Sequence, residues 1–201
     1  MADNVHSPHT VIHDYTTRIC FNKYELGGGF AVLIFLGEIP DDPSQWRTSH
    51  SFVGSHVAYV SGAGSYGYGN RSDTTDSLSE GFVHLNTAIA RRSGLPSFEP
   101  SEVLPYLKAN LDWRVQAVRI PSFSFKLCVQ LADLADPDIS PTCFQANRSA
   151  VGLERLPSLE ITVSETPLTH EPGQPFPIPG RPVYHPEITY GRRGGARHTQ
   201  D

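Results

Sequence analysis

The sequence lacks most of the features that mark membrane, disulfide-rich or nucleic-acid-binding proteins. Its longest uninterrupted apolar run, FAVLIFL at positions 30–36, is far shorter than the roughly 20 residues of a membrane-spanning helix. Only three cysteines occur, widely spaced, so neither a disulfide framework nor a thiolate metal site is expected. The net charge of -5 is not offset by a basic block, which argues against nucleic acid or a membrane surface as partner.

The N-terminal residues also lack the positive and apolar regions of a secretory signal. We therefore expect a cytoplasmic protein with reduced thiols, and a small molecule as its ligand. Self-association into a homo-oligomer is compatible with this expectation. A chain of 201 residues is expected to form one main domain.

What the sequence does have is a series of short segments in which apolar and polar residues alternate, separated by glycines and prolines. Alternate side chains of a strand face opposite sides, so this period of two predicts half-buried strands. One segment, 30–37, is apolar on both faces and is predicted to be central or covered. The predicted fold class is all-β, a seven-stranded antiparallel β-sandwich. The predicted strands lie at 16–24, 30–37, 53–61, 80–88, 112–119, 122–130 and 158–165.

One short helix and an extended tail complete the predicted organisation. The helix is expected in EPSEVLPYLKANL, with Ser101 as a candidate N-cap. The density of proline and glycine after position 170 is expected to prevent ladder pairing, and it predicts an extended tail that lies over the domain to about Tyr190 and then frays. The predicted regions are an N-terminal arm at 1–13, the sandwich domain at 14–170 and the Pro/Gly-rich tail at 171–201.

Several long segments of the sequence resemble the C-terminal domain of fungal tyrosinases, a β-sandwich related to a hemocyanin domain. They are TRICFNKYELGGGFAVLIFLGEIPDDPSQWRTSHSFVGSHVAYV, EGFVHLNTAIAR, LPYLKANLDWRVQ and, in the tail, HPEITYGRRGG. The resemblance implies the same sandwich fold. In those enzymes an aromatic residue of this domain fills the copper pocket, and the resemblance places Tyr59 at that position.

Two departures from the tyrosinase pattern shape the expected function. The helical domain that carries the copper-binding histidines is not found in the sequence, and GSYGYGN at 64–70 stands where many relatives have a Cys-x-x-Cys copper-handling motif. A domain of this kind resembles the hemocyanin-like cyclopenases of fungal quinolone alkaloid pathways. That resemblance implies a zinc-dependent lyase, which converts a cyclopenin-like benzodiazepinedione epoxide, an aromatic alkaloid, to a viridicatin-type quinolone by ring contraction with loss of an isocyanate unit. The alternative is a non-catalytic tyrosinase-type shielding or binding module.

The candidate ligands for Zn²⁺ are His50, His56 and His84, because imidazole is a favoured zinc ligand and catalytic sites usually use three protein ligands. Residues at even separation in a strand share a face, so His50 and His56 could point the same way. His84 would meet His56 if their strands formed a long hairpin. The alternative for His56 and His84 is hydrogen bonding within the framework, and for His50 an exposed position in a loop.

Glu25 and Tyr59 are the candidate catalytic residues. Glu25 precedes a glycine turn that would let substrate approach the backbone, and it could give or accept a proton. Tyr59 could stack on an aromatic substrate. The alternatives are a solvated carboxylate at a strand end for Glu25 and a core or rim aromatic for Tyr59. We interpret His13 as part of a surface arm and His185 as a residue that packs the tail.

Overall fold

The chain is mostly β-structure with two short helices. A computed structural model describes residues 10–58, 77–118, 149–171 and 173–198. The strands in these ranges are β1 (Thr10–Asn22), β2 (Phe30–Leu36), β3 (Phe52–Ala58), β4 (Leu78–His84), β5 (Leu111–Ala117), β6 (Ala150–Val151), β7 (Glu160–His170), β8 (Ile178–Pro179) and β9 (Val183–His185). The helices are α1 (Asn86–Arg92) and α2 (Pro100–Asn110). Neither of these helices has the length and apolar character needed to cross a membrane.

The strands form two antiparallel sheets. Sheet A has the order β4-β1-β7-β8, with β9 also paired to β7, and sheet B has the order β3-β2-β5-β6. Apolar side chains of both sheets and both helices pack into one core. The predicted two-sheet, mostly β architecture is therefore confirmed. The count of seven strands is not confirmed, because the described ranges contain nine and the predicted strand at 122–130 lies outside them.

The alternating pattern determines which side chains enter the core. In β1, residues at every second position from Tyr15 to Phe21 are fully buried between the sheets. β2 is buried along its whole length, because alternate residues also pack on its outer side, where Leu33 and Phe35 contact Trp46. The expectation that this segment is covered on both faces is confirmed.

The strand predicted at 80–88 is too long. β4 ends at His84, and α1, a helix that the pattern did not predict, begins at Asn86. The side-chain amide of Asn86 accepts a hydrogen bond from the Tyr15 backbone N–H (2.7 Å) and donates one to the His13 carbonyl oxygen (2.8 Å). This side chain thus continues the pairing with β1 after the backbone of β4 has turned away into the helix.

The predicted helix exists as α2, but Ser101 is not its N-cap. The N-cap position is occupied by Glu99, without a side-chain capping bond, and Pro100 is the first helical residue. Proline is well suited to that position, because its φ angle is already helical and an N–H there would have no partner within the helix.

Both terminal regions contribute more to sheet A than expected. β1 begins at Thr10, so residues 10–13 belong to the sheet rather than to a separate arm. The expectation that the tail cannot pair is wrong, since β8 and β9 both pair with β7, and β8 is an edge strand, where proline is tolerated. The tail also stays packed beyond Tyr190. The Thr189 hydroxyl donates to the Ile161 carbonyl oxygen (2.6 Å), and Ala196 is buried.

Candidate functional site

One end of the sandwich, which we call the loop end, contains the connection 23–29 between β1 and β2. The register of sheet B pairs Phe30, the first residue of β2, with Ala58 of β3 and Ala117 of β5. The start of β4 lies beside the end of β1. The ends of five strands therefore meet where the chain crosses from one sheet to the other.

Gly29 holds the loop end of sheet B together. Its carbonyl oxygen accepts a hydrogen bond from the Val118 N–H (2.8 Å). A Cβ atom at this position would lie 3.1 Å from the Val118 carbonyl oxygen and 3.4 Å from that of Ala58. The absence of a side chain thus lets the backbone pass between β3 and β5. Tyr59, predicted to be catalytic, directly follows Ala58 in the sequence and lies outside the described residues.

Glu25, the other predicted catalytic residue, is bonded to the framework of the loop end. Its Oε2 atom accepts hydrogen bonds from the Ser158 N–H (3.1 Å) and from the Ser158 hydroxyl. The Ser158 Oγ atom in turn accepts one from the Asn22 N–H (2.8 Å). These bonds fix the connection 23–29 to the segment before β7. They give Glu25 a structural role, and its role in proton transfer stays a prediction.

The expected hairpin between the strands of His56 and His84 is wrong. β3 belongs to sheet B and β4 to sheet A, so the two strands are not paired with each other. The ring of His56 packs directly over Gly81, where a Cβ atom would overlap it, and its centroid lies 5.7 Å from that of Phe21. Because Gly81 and His84 are three residues apart in one strand, the His84 side chain points to the opposite face of β4.

The surroundings of the two histidines differ accordingly. The Nε2 atom of His56 is buried and has no hydrogen-bond partner among the described residues, and burial lowers the pKa of this imidazole. The His84 side chain is 75% exposed, and its Nδ1 atom lies 3.1 Å from the Thr16 hydroxyl and 3.5 Å from an Asp14 carboxylate oxygen. His56 therefore fills space between the sheets, whereas His84 is a surface residue.

His50 occupies a third place. It is exposed in the turn before β3, next to Ser49 and Ser51, and lines a cleft at the end of the sandwich where β2 finishes. In the part of the chain that the structure describes, no three side chains of histidine, cysteine, aspartate or glutamate are arranged to hold a metal ion. The three predicted ligands thus do not form a zinc site in this arrangement.

The family relationship follows from residues 14–125, which match the family model described as tyrosinase C-terminal domain. This match covers more than half of the chain. The chain belongs to the tyrosinase C-terminal domain family. The matched region runs from β1 through β5, so it includes the connection 23–29 and the five strand ends that meet at the loop end.

Known relatives of this tyrosinase C-terminal domain are much longer proteins. The chain is 28% identical over 187 residues to a tyrosinase of Neurospora crassa, which covers 90% of this chain and 23% of that protein. It is 33% identical over 103 residues to polyphenol oxidase 2 of Agaricus bisporus, covering 51% of this chain and 17% of that protein. The structure of a recombinant mushroom tyrosinase has the same fold, with a TM-score of 0.56 and 22% identity over 91% of this chain and 26% of the other. The chain spans less than a quarter of the length of these curated relatives.

This tyrosinase C-terminal domain also contains a polar cluster that the sequence analysis missed. The buried carboxylate of Glu165 in β7 lies 2.6 Å from the Nδ1 atom of His13 in β1 and 3.4 Å from the Nε2 atom of His185 in β9. The cluster joins the tail and the start of β1 to the middle of sheet A. The sequence contained a sign of this cluster. Glu165 follows Ile161 and Val163 at alternate positions of the strand and therefore faces inward, where a carboxylate needs buried polar partners.

Proposed function

We propose that this tyrosinase C-terminal domain is a non-catalytic shielding module, which docks through its loop end on the copper-containing catalytic domain of a tyrosinase-type oxidase. The observation that carries the proposal is the family match across residues 14–125, which includes every described strand of the loop end except the start of β7. The catalytic partner could be part of the same polypeptide or a separate protein. In either case the module itself does not oxidise phenols.

The construction of the loop end supports docking. An aromatic side chain inserted into a partner's pocket contributes most when the element that presents it is already rigid. Gly29 and the Glu25–Ser158 bonds fix the ends of β2, β3 and β5 relative to sheet A. The chain enters Tyr59 directly from this fixed edge, and family resemblance assigns Tyr59 the role of filling the copper pocket.

The zinc-dependent lyase remains a hypothesis without a metal site in the described residues. His50, His56 and His84 lie at three separate places, and one of them is packed against Gly81. Elemental analysis of purified protein and an assay with a cyclopenin-like substrate test it. About one equivalent of bound zinc together with substrate conversion would favour the lyase over the shielding module.

Inhibition of a catalytic domain tests the shielding proposal. The purified chain is added to the Neurospora crassa tyrosinase from which its own C-terminal region has been removed, and the oxidation of a phenolic substrate is followed. We expect saturable inhibition by the wild-type chain and at least about tenfold weaker inhibition by Tyr59→Ala, since a buried aromatic anchor contributes 1.4 kcal/mol or more, roughly a factor of ten.

The matched control is Tyr184→Ala, which removes a tyrosine that is 41% exposed in β9, outside the loop end. This variant should inhibit as strongly as the wild type. Equal inhibition by Tyr59→Ala and the wild type, or no inhibition by any of the three proteins, would contradict the proposal.

A further inference from the structure

The opposite end of the sandwich, which we call the helix end, contains a cleft of about 380 Å³. Here β2 finishes, β3 and β5 begin, and both helices terminate. The cleft is lined by residues 36–38, residues 49–51, Arg92, Tyr106 and Asn110. Its volume lies within the range of roughly 300–1,000 Å³ that is typical of small-ligand sites. Nothing in the shielding function uses this end of the molecule.

Arg92, the last residue of α1, places a positive charge at the cleft. Its two terminal nitrogens donate to the carbonyl oxygens of Ser51 (3.0 Å) and Phe52 (2.9 Å). These bonds orient the guanidinium but bring no negative charge to it, and Arg92 forms no ion pair with a carboxylate within the described ranges. A guanidinium has five N–H donors, so three remain after these two bonds.

Tyr106 of α2 and His50 add donors to the same cleft. Tyr106 and Arg92 line the same cleft, where burial raises the pKa of the Tyr106 phenol and the positive charge of Arg92 partly offsets this rise. In the described part of the chain, neither the Tyr106 hydroxyl nor the His50 ring has a hydrogen-bond partner. Three polar groups from three different elements therefore line one cavity with unused hydrogen-bonding capacity.

The chemistry of the lining selects the class of ligand. A guanidinium with free N–H groups matches the geometry of a carboxylate, which it can bind through two parallel bonds. The exposed carboxylate of Glu38 lines the same cleft and disfavours ligands with several negative charges. The partly exposed ring of Tyr106 offers apolar surface for the rest of the ligand.

We propose that this cleft binds a small aromatic monocarboxylate. Arg92 pairs with the carboxylate, the Tyr106 hydroxyl donates a hydrogen bond to it, and His50 contacts the ligand at the rim. The ligand lies at the end of the sandwich opposite to Tyr59, so its binding does not depend on docking to an oxidase.

Titration of the full chain with sodium benzoate, followed by NMR, tests the proposal. We expect saturable shifts in Gly37, Asn110 and the His50 ring, with a dissociation constant on the order of 1 mM. Benzamide, which has the same shape without the charge, should bind at least about tenfold more weakly. Inorganic phosphate, which lacks the apolar part, should be weaker by a similar factor.

Single substitutions distinguish a loss of benzoate binding from a loss of folding. Tyr106→Phe keeps the ring and should weaken benzoate binding about three- to tenfold, and Arg92→Gln should weaken it by about tenfold or more. His50→Gln should weaken it about twofold, whereas the control His84→Gln, which changes an exposed histidine of sheet A, should leave it unchanged. Benzamide or phosphate binding as tightly as benzoate, or unchanged affinity in Tyr106→Phe, would overturn the proposal.

Discussion

The loop end and the helix end of the sandwich are held together by different means. At the loop end, the carboxylate of Glu25 is bonded to Ser158, and the backbone of Gly29 passes between two strand ends. At the helix end, Arg92 and Tyr106 come from two helices and keep unused donors beside a cleft. The comparison indicates that the loop end is rigid, whereas the helix end has hydrogen-bond donors available for the proposed aromatic monocarboxylate.

The difference arises from the way the strands are connected. The connection 23–29 is short and contains three consecutive glycines, and at the last of them, Gly29, the backbone passes close to the carbonyl oxygens of Val118 and Ala58. At the helix end, α1 and α2 lie between β4 and β5 in the chain, and their residues Arg92, Tyr106 and Asn110 line the cleft.

The largest loss of stability is expected when Gly29 is replaced by a residue with a side chain. Gly29→Val should lower the free energy of unfolding by about 3 kcal/mol, because the nearest atoms are backbone carbonyl oxygens that cannot rotate away. Urea denaturation measures the change. The matched control is Gly28→Val, since a Cβ atom at Gly28 has no neighbour within 4 Å. If both variants are equally stable, the loop end is not held by this close approach.

An intermediate loss of stability is expected from replacing Arg92 at the helix end. Arg92→Met keeps the aliphatic part of the side chain but removes the bonds to the carbonyl oxygens of Ser51 and Phe52, and should lower the free energy of unfolding by about 1 to 2 kcal/mol. Arg91→Met is the control, because Arg91 is an exposed neighbour on the same helix with no bond to the described framework. A loss in Arg92→Met as large as in Gly29→Val would mean that the two ends do not differ in how tightly they are built.

The spacing of apolar residues in the sequence predicted those strands and helices whose burial follows a regular period. The covered strand around Leu33, the alternation in β5 and β7 and the helix around Tyr106 were all recognisable from spacing. The helix after His84 was not, because the bonds that begin it join Asn86 to residues more than seventy positions away. Pairing of the tail with β7 is likewise a long-range property.

The candidate site was less predictable than the fold for the same reason. Two histidines can be assigned to strands by alternation, but the sheet to which each strand belongs and its register cannot. His56 and His84 were expected to face each other on the assumption of a hairpin, and β3 and β4 lie in different sheets. Gly81 was a local sign of the real arrangement, since a glycine within a strand often marks a close approach of another group.

The smallest expected effect is a change in the pH dependence of stability. It concerns His56, which is packed between the two sheets. Burial lowers the pKa of His56 from its ordinary value of 6.5, so the unfolded chain binds a proton more readily than the folded one. Stability is therefore unaffected well above pH 6.5 and falls as the pH drops from there through the lowered pKa of the folded state.

His56→Phe removes this proton linkage while filling the same space over Gly81. Its stability relative to the wild type should therefore rise as the pH falls from about 7 to about 5, in urea denaturation series at each pH. If the stability difference between His56→Phe and the wild type stays the same from pH 7 to pH 5, His56 is not an acid-sensitive group, and the description of its surroundings as a packed interior is wrong.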